Sequence, residues 1–259
     1  GLDRIGAGLA ALHGARTGGD ARTREAVRRA LEMLDARRQA GPAPVEIDGF
    51  ETRLLGPEAF QDLAGALDPG DLIAHLQDGR SVIRANAATA LGVLGAVASQ
   101  AVRPLGVRLR DDDAHVRMAA ARALDRLGND AVRQTADGLV GALGDADPAV
   151  AEACAAALRA RKASVVGALV RGLDVGSEVH ARRILEIINL LDDASDILCD
   201  AFESPAENVQ VNAALGLGML GPRRAGTAGR KALEGARTGG FARTRAAVFR
   251  ALAMLDGQA

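Results

Sequence analysis

Residues 82–95 read VIRANAATALGVLG, residues 115–128 read HVRMAAARALDRLG, and residues 208–221 read NVQVNAALGLGMLG. The three stretches share one register. Ile83, Val116 and Val209 superpose, as do Leu91, Leu124 and Leu217, then Leu94, Leu127 and Leu220. Segments of this kind recur roughly every 29 to 35 residues, a period at which each unit buries its apolar face only against its neighbours. The chain is therefore expected to be all-α: one α-solenoid domain over 1–259, made of about seven antiparallel helix pairs.

The second helix of each pair is the easier one to read. In 113–128, Asp113 precedes the helix, where its carboxylate can cap free backbone amides. Val116, Ala120, Ala123, Leu124 and Leu127 then mark one face at three- and four-residue spacing, and Gly128 ends it. The same grammar predicts second helices near 20–34, 80–94, 147–160, 177–191, 205–220 and 241–255. The shorter first helices end in a shared phrase: LIAHLQD at 72–78, LGVRLRD at 105–111, LVGALGD at 139–145 and LVRGLD at 169–174, with ILCDAFES at 197–204 a looser version. The terminal Asp of each phrase starts a turn.

An Asp in the inter-helix turn, Val-Arg opening the second helix and an apolar run to Leu-Gly resemble the HEAT-repeat family in its short bacterial form. Asp113, Val116 and Arg117 fit best, and Ile83 with Arg84 is close. The resemblance implies a superhelix in which Asp and Arg at these positions form ladders between neighbouring repeats. Ala151, His180 and Gln210 replace the Arg, which interrupts such a ladder midway. As a shape shared by many functions, it implies no single activity.

Residues 39–57, QAGPAPVEIDGFETRLLGP, break the period. An Asp-Gly pair between β-prone runs signals a hairpin, with an ordered or disordered loop as the other reading. As an insertion carrying Ile47 and Phe50, the segment is a candidate contact loop.

Aromatic residues make up 2% of the chain, with no Trp and no Tyr, so the core must be built from Ala, Leu and Val. No apolar run approaches the roughly 18 residues of a membrane span, and no signal segment opens the chain. Gly1 in place of Met fits a trimmed or partial chain, so a removed leader stays open. Cys154 and Cys199 read as buried reduced thiols, with a disulfide or metal pair as the alternative; a cytoplasmic location fits best.

The net charge of −1 is unevenly spread. Residues 1–40 hold eight Arg against five acids, or +3, and residues 222–259 hold eight Arg or Lys against two acids, or +6. The stretch between them carries −10. Arg outnumbers Lys by 30 to 2, which fits a GC-rich genome more simply than a nucleic-acid site.

The two ends repeat one another. Residues 14–34, GARTGGDARTREAVRRALEML, recur at 235–255 as GARTGGFARTRAAVFRALAML. Asp20 becomes Phe241, Glu25 becomes Ala246, Arg28 becomes Phe249 and Glu32 becomes Ala253. Positions 246, 249 and 253 share one helical stripe, polar in the first copy and apolar in the last. Solenoids close their ends with polar faces, so Phe241 and Phe249 are candidates for self-association, with packing on the preceding repeat as the other reading. The GARTGG phrase lacks the Gly-Lys-Ser/Thr of a P-loop, and a turn between helices accounts for it.

No motif supports catalysis, a metal or another cofactor. His13, His75, His115 and His180 fall in different repeats without the spacing of a metal site. No Ser-centred elbow or Cys-His pairing appears. HEAT-type deoxyhypusine hydroxylases use His-Glu pairs to hold iron, and this chain has no His-Glu. HEAT-like DNA glycosylases lean on aromatic residues including Trp, also absent. The reading is a non-catalytic scaffold whose inner helical face binds a protein partner or another copy of the chain. Arg84, Asn86, Arg117, His180, Gln210 and Asn212 are the candidate contacts. Asn86 and Asn212 share a register, and a repeated amide can bond an extended backbone. Two alternatives remain: a phycobilin-lyase-like subunit that handles a chromophore on a protein, and a solenoid that tracks nucleic acid with Arg24, Arg84, Arg117 and Arg245. The acidic middle and the lack of stacking aromatics weigh against nucleic acid.

Overall fold

The computed structural model describes residues 47–257 together with Glu25, Arg28 and Arg29. The described residues are helical and carry no strand. They fall into two compact units, Gly1–Ala131 and Val132–Ala259. Each unit is a stack of helix pairs of the α-solenoid class.

In the first unit, α1 (Glu58–Gln61) and α2 (Pro69–His75) lead to α3 (Ser81–Leu94), then α4 (Val102–Arg108) and α5 (Ala114–Leu127). A short helix, α6 (Asn129–Gln134), spans the boundary. The second unit runs through α7 (Ala136–Gly141), α8 (Pro148–Arg159), α9 (Val166–Gly172), α10 (Glu178–Ile188), α11 (Ala194–Phe202), α12 (Glu207–Met219), α13 (Gly221–Gly235) and α14 (Ala242–Leu255). The second helices predicted from residue 80 onward are thus α3, α5, α8, α10, α12 and α14. The one predicted near 20–34 lies outside the described residues.

The helix starts follow from their capping residues. Asp68 accepts from the amides of Gly70 and Asp71, Asp113 from His115, and Asp147 from Ala149. Pro69 and Pro148 follow directly, at the first helical position where a missing N–H costs nothing. Gly95 and Gly128 end α3 and α5 at φ 56° and 103°, values that only Gly reaches without strain.

Residues 81–108 carry an 18-residue window of mean hydropathy 1.4, enough by composition to cross a membrane. The turn at Gly95 and the 3-10 stretch Gly95–Ala101 break them into α3 and α4, and half of that window is buried in the protein. Their apolar character is that of a repeat core.

Of the segment 39–57, residues 39–46 lie outside the described residues, and 47–57 are turns and irregular backbone without a strand. The amides of Thr52 and Arg53 both donate to the Gly49 carbonyl, at 3.1 and 2.9 Å, which closes a tight turn. Phe50 draws the backbone inward: it is 2% exposed and meets Phe60 and His75 edge-on, with centroids 6.3 and 5.6 Å away.

Beyond Phe50, Phe60 and Cys154, the core is made of Ala, Leu, Val and Ile. Small residues let neighbouring second helices approach closely at equivalent points of the two units. A Cβ added at Gly92 on α3 would lie 2.9 Å from Ala123 Cα on α5. One added at Gly218 on α12 would lie 2.8 Å from Ala251 Cα on α14. Helix propensity alone favours Ala over Gly by about 1 kcal/mol, but forcing a methyl against backbone costs about 1–3 kcal/mol. Gly92→Ala and Gly218→Ala should therefore each lower stability in urea melts, whereas Gly141→Ala, where a Cβ meets nothing within 4 Å, should not.

Candidate functional site

Three of the inter-helix turns are built the same way. The carboxylate that ends the first helix bends back to the amide two residues on: Asp78 to Arg80 at 2.8 Å, Asp111 to Asp113 at 3.1 Å, and Asp145 to Asp147 at 2.9 Å. Such a turn leaves main-chain carbonyls without helical partners, and those buried beside the next repeat must be satisfied. In four of the six described second helices the fourth residue meets this need; in α8 and α10 it is Ala151 and Ala181. Arg84 donates to the carbonyls of Asp78 (2.9 Å) and Gly79 (3.2 Å). Arg117 donates to those of Asp111 and Asp112, Gln210 to Ser204, and Arg245 to Gly240.

In α3, α10 and α12 the sixth residue reaches back one repeat. The Asn212 amide donates to the carbonyls of Leu173 (2.8 Å) and Val175 (3.1 Å). Asn86 donates to Phe50 and Arg53, both at 2.8 Å, and accepts from the Leu55 amide at 2.8 Å. The segment 50–55 thus occupies the place of a preceding inter-helix turn. Arg183, absent from the sequence reading, stands at the same sixth position of α10 and donates to Leu143.

This changes the roles of the residues assigned to a partner. Asn86 and Asn212 do bond extended backbone, but it is their own chain's, and at 1% and 5% exposure they are closed to any other. Arg84, Arg117 and Gln210, half-buried, hold their own turns. His180 is not in the Arg row. Ser177 caps α10, which puts His180 third in the helix, the place of Ile83, Val116, Val150 and Val209. Its ring Nε2 lies 2.8 Å from the Val140 carbonyl. Val179, which suggested the other register, is 62% exposed.

One ladder rung of the expected kind is present, with a different acid. Arg84 forks onto Asp111, at 2.9 and 2.7 Å, and Arg108 adds a third bond at 3.0 Å; Asp113 is the cap of α5. The Asp111 side chain is 2% exposed. Burial pushes its carboxyl upward, but the bonds from Arg84 and the Asp113 amide, with the charges of Arg84 and Arg108, outweigh it and hold the group below the usual range.

Among the described residues no three His, Cys, Asp or Glu side chains are arranged so that they could hold a metal ion. His115 Nδ1 lies 3.2 Å from Asp113 Oδ1, a carboxylate already engaged in capping. Burial, and then the charge of Asp145, pushes the Cys154 thiol up to about 12, and burial also raises Cys199. Both are free thiols without the depressed pKa of a nucleophile.

What stays open is the solvent-exposed face of the second helices. In the first unit a groove of about 220 Å³ runs over α3 and α5, with Leu54, Met118, Arg122 and Arg126 on it. In the second unit a groove of about 170 Å³ lies over α10, α12 and α14, with Arg182, Leu215, Met219, Arg250 and Met254. A wider depression of about 650 Å³ lies between the first helices α9 and α11, but its Arg171 pairs with Asp137 and its Asp174 accepts from Asn208. On the last helix, Phe241 and Phe249 are 47% and 52% exposed, so Phe249 does not pack into the preceding repeat. The Arg237 guanidinium lies 5.5 Å from the Phe249 ring centre, in cation–π range.

Residues 70–159 match the family model described as HEAT repeats. This stretch is made of HEAT repeats. No curated protein matches the chain significantly. Among solved structures, a designed armadillo repeat protein is 17% identical over 94% of this chain and 98% of its own, with a TM-score of 0.34. Human deoxyhypusine hydroxylase in complex with glycerol is 19% identical over 82% and 96%, with a TM-score of 0.31. The complex of CpcE and CpcF of phycocyanin lyase from Nostoc sp. is 21% identical over 84% and 100%, with a TM-score of 0.37. At such identities and scores none of them transfers a ligand or an activity to this chain.

Within the HEAT repeats, the buried Arg84–Asp111 pair is the interaction most exposed to a test. Breaking a buried ion pair from one side costs about 3–5 kcal/mol. Asp111→Asn should lower stability by that order at pH 7. Because the folded carboxyl is held below its unfolded value of about 3.9, the contribution is complete above that value and is lost as pH falls through the folded one. Urea melts at pH 7 and pH 3 should show the gap between wild type and variant closing in acid.

Proposed function

We propose that this chain is a non-catalytic scaffold that binds a protein partner on the exposed face of its second helices, the face read from the sequence as the inner one. The repeat fold supports protein binding in general. One observation carries the finer reading: after the turn-facing polar groups have been consumed inside the fold, the second helices still carry grooves with apolar floors and exposed guanidiniums. At about 170 and 220 Å³ the grooves fall below the 300–1,000 Å³ typical of small-molecule pockets. They suit single side chains of a polypeptide. Free thiols at both cysteines fit a reducing cytoplasm.

Affinity capture followed by reconstitution from purified components tests this reading. A partner polypeptide whose binding is weakened by Leu215→Glu is the expected result. Reconstitution that yields only nucleic acid, or a binder indifferent to the second-helix face, contradicts it.

A second reading is favoured by a separate observation. Two Phe side chains about half exposed on one terminal repeat, beside Ala246, form an apolar patch that a second copy would cover. Self-association through Phe241 and Phe249 should appear in size-exclusion chromatography with light scattering as a concentration-dependent mass. The double variant Phe241→Asp, Phe249→Arg should then run as a monomer. Wild type that is monomeric at every concentration rules this reading out.

A further inference from the structure

The two grooves are copies of one site. In the second unit the sixth and ninth residues of α12, Asn212 and Leu215, face the ninth and thirteenth of α14, Arg250 and Met254. In the first unit the sixth and ninth residues of α3, Asn86 and Thr89, face the ninth and thirteenth of α5, Arg122 and Arg126. In each, the buried Asn anchors the backbone one repeat back, which forms or borders the third wall: Leu54 to Pro57 in one case, α10 beyond the Leu173–Val175 turn in the other.

Two features coincide in these grooves. The first is charge without a partner. Arg84, Arg108, Arg159, Arg171 and Arg230 are paired with carboxylates. Arg103, Arg110 and Arg223, outside the grooves, pair with no described residue, and none of those three is set beside a methionine-lined groove. Arg122 and Arg126 in one groove, and Arg182 and Arg250 in the other, make no hydrogen bond or ion pair with any described residue. No acid lines the first groove, and Glu178 alone lines the second. The second feature is methionine. The chain holds four, and three of them, Met118, Met219 and Met254, line the grooves in half-buried positions. Met is flexible and polarizable, and its use at a surface suits side chains of varied shape.

Resting on the scaffold reading above, we infer that each groove receives an apolar side chain flanked by a carboxylate, so that the chain binds two acidic, amphipathic polypeptide segments, one per unit. The apolar side chain displaces water from the Met and Leu floor, and the carboxylate meets a guanidinium that has no competing partner. Phosphate backbones would satisfy the guanidiniums but leave the floor without an apolar occupant and without an aromatic ring for base stacking.

The full chain, labelled with 13C at the methionine methyl groups, tests this by NMR and calorimetry. The probe is a short synthetic peptide of interleaved Leu and Glu, and the control has Lys for every Glu. The inference expects two equivalents of the Glu peptide to bind, with shifts at Met118, Met219 and Met254. Arg122→Glu should remove one equivalent and the Met118 shift, and Arg250→Glu the other equivalent and the Met219 and Met254 shifts. Each reversal should weaken its own site at least about tenfold. Both arginines are exposed, and an unchanged thermal melt would confirm that each variant folds. Equal binding of the Lys peptide, or shifts that survive both reversals, overturns the charge assignment while leaving the second-helix face as a protein-binding surface. No methionine shift with either peptide overturns the grooves as sites, and the capture experiment then judges the scaffold reading by itself.

Discussion

A chain that turns back on itself every few tens of residues leaves main-chain carbonyls at each turn, and stacking the next repeat takes water away from them. An unpaired buried carbonyl costs about 1–3 kcal/mol, so an array of such turns would be difficult to stabilise if they were left open. Here side chains of the second helices close them. The fourth residue serves the helix's own turn, as Arg84, Arg117, Gln210 and Arg245 do. The sixth residue serves the backbone one repeat back, as Asn86, Arg183 and Asn212 do. Arg, Gln and Asn are interchangeable in this task because each offers N–H donors on a stem long enough to reach.

That constraint decides where a partner can be met. Polar residues at the start of each second helix are committed to the fold, so their repetition records stacking and not recognition. The ninth and thirteenth positions are under no such demand. Arg122, Arg126, Arg250, Met219 and Met254 sit there, and none of them closes a turn. Recognition is therefore expected to reside in positions whose chemistry the stacking leaves unspecified.

The apolar rows were legible in the sequence because helical spacing repeats in every second helix and, at α5 and α8, agrees with the Asp that precedes it, as at Asp113 and Val116. The chemistry of Asn86 and Asn212 was legible too, an amide bonding extended backbone, but not whose backbone it would be. Tertiary burial decides that, and no local pattern reports it. His180 was misplaced by one residue because apolar Val179 precedes it, while the Ser177 cap and the buried row settle the other register. The Asp48–Gly49 pair does turn the chain, yet the aromatic cluster of Phe50, Phe60 and His75 pulls the following residues inward, away from any strand pairing. The grooves had a signal that went unused: Met219 and Met254 fall at matching helix positions, as do Arg122 and Arg250.

The account stands most directly on Asn86. Leu55 lies in a stretch with no regular secondary structure, and its amide has Asn86 Oδ1 as acceptor at 2.8 Å. Residue-resolved hydrogen exchange should find the Leu55 amide protected in the wild type and exchanging faster in Asn86→Ala, with the amides of α12 unaffected. Rapid exchange of Leu55 in the wild type, or protection that persists without the Asn86 side chain, would contradict the claim that second-helix side chains hold the backbone of the preceding repeat.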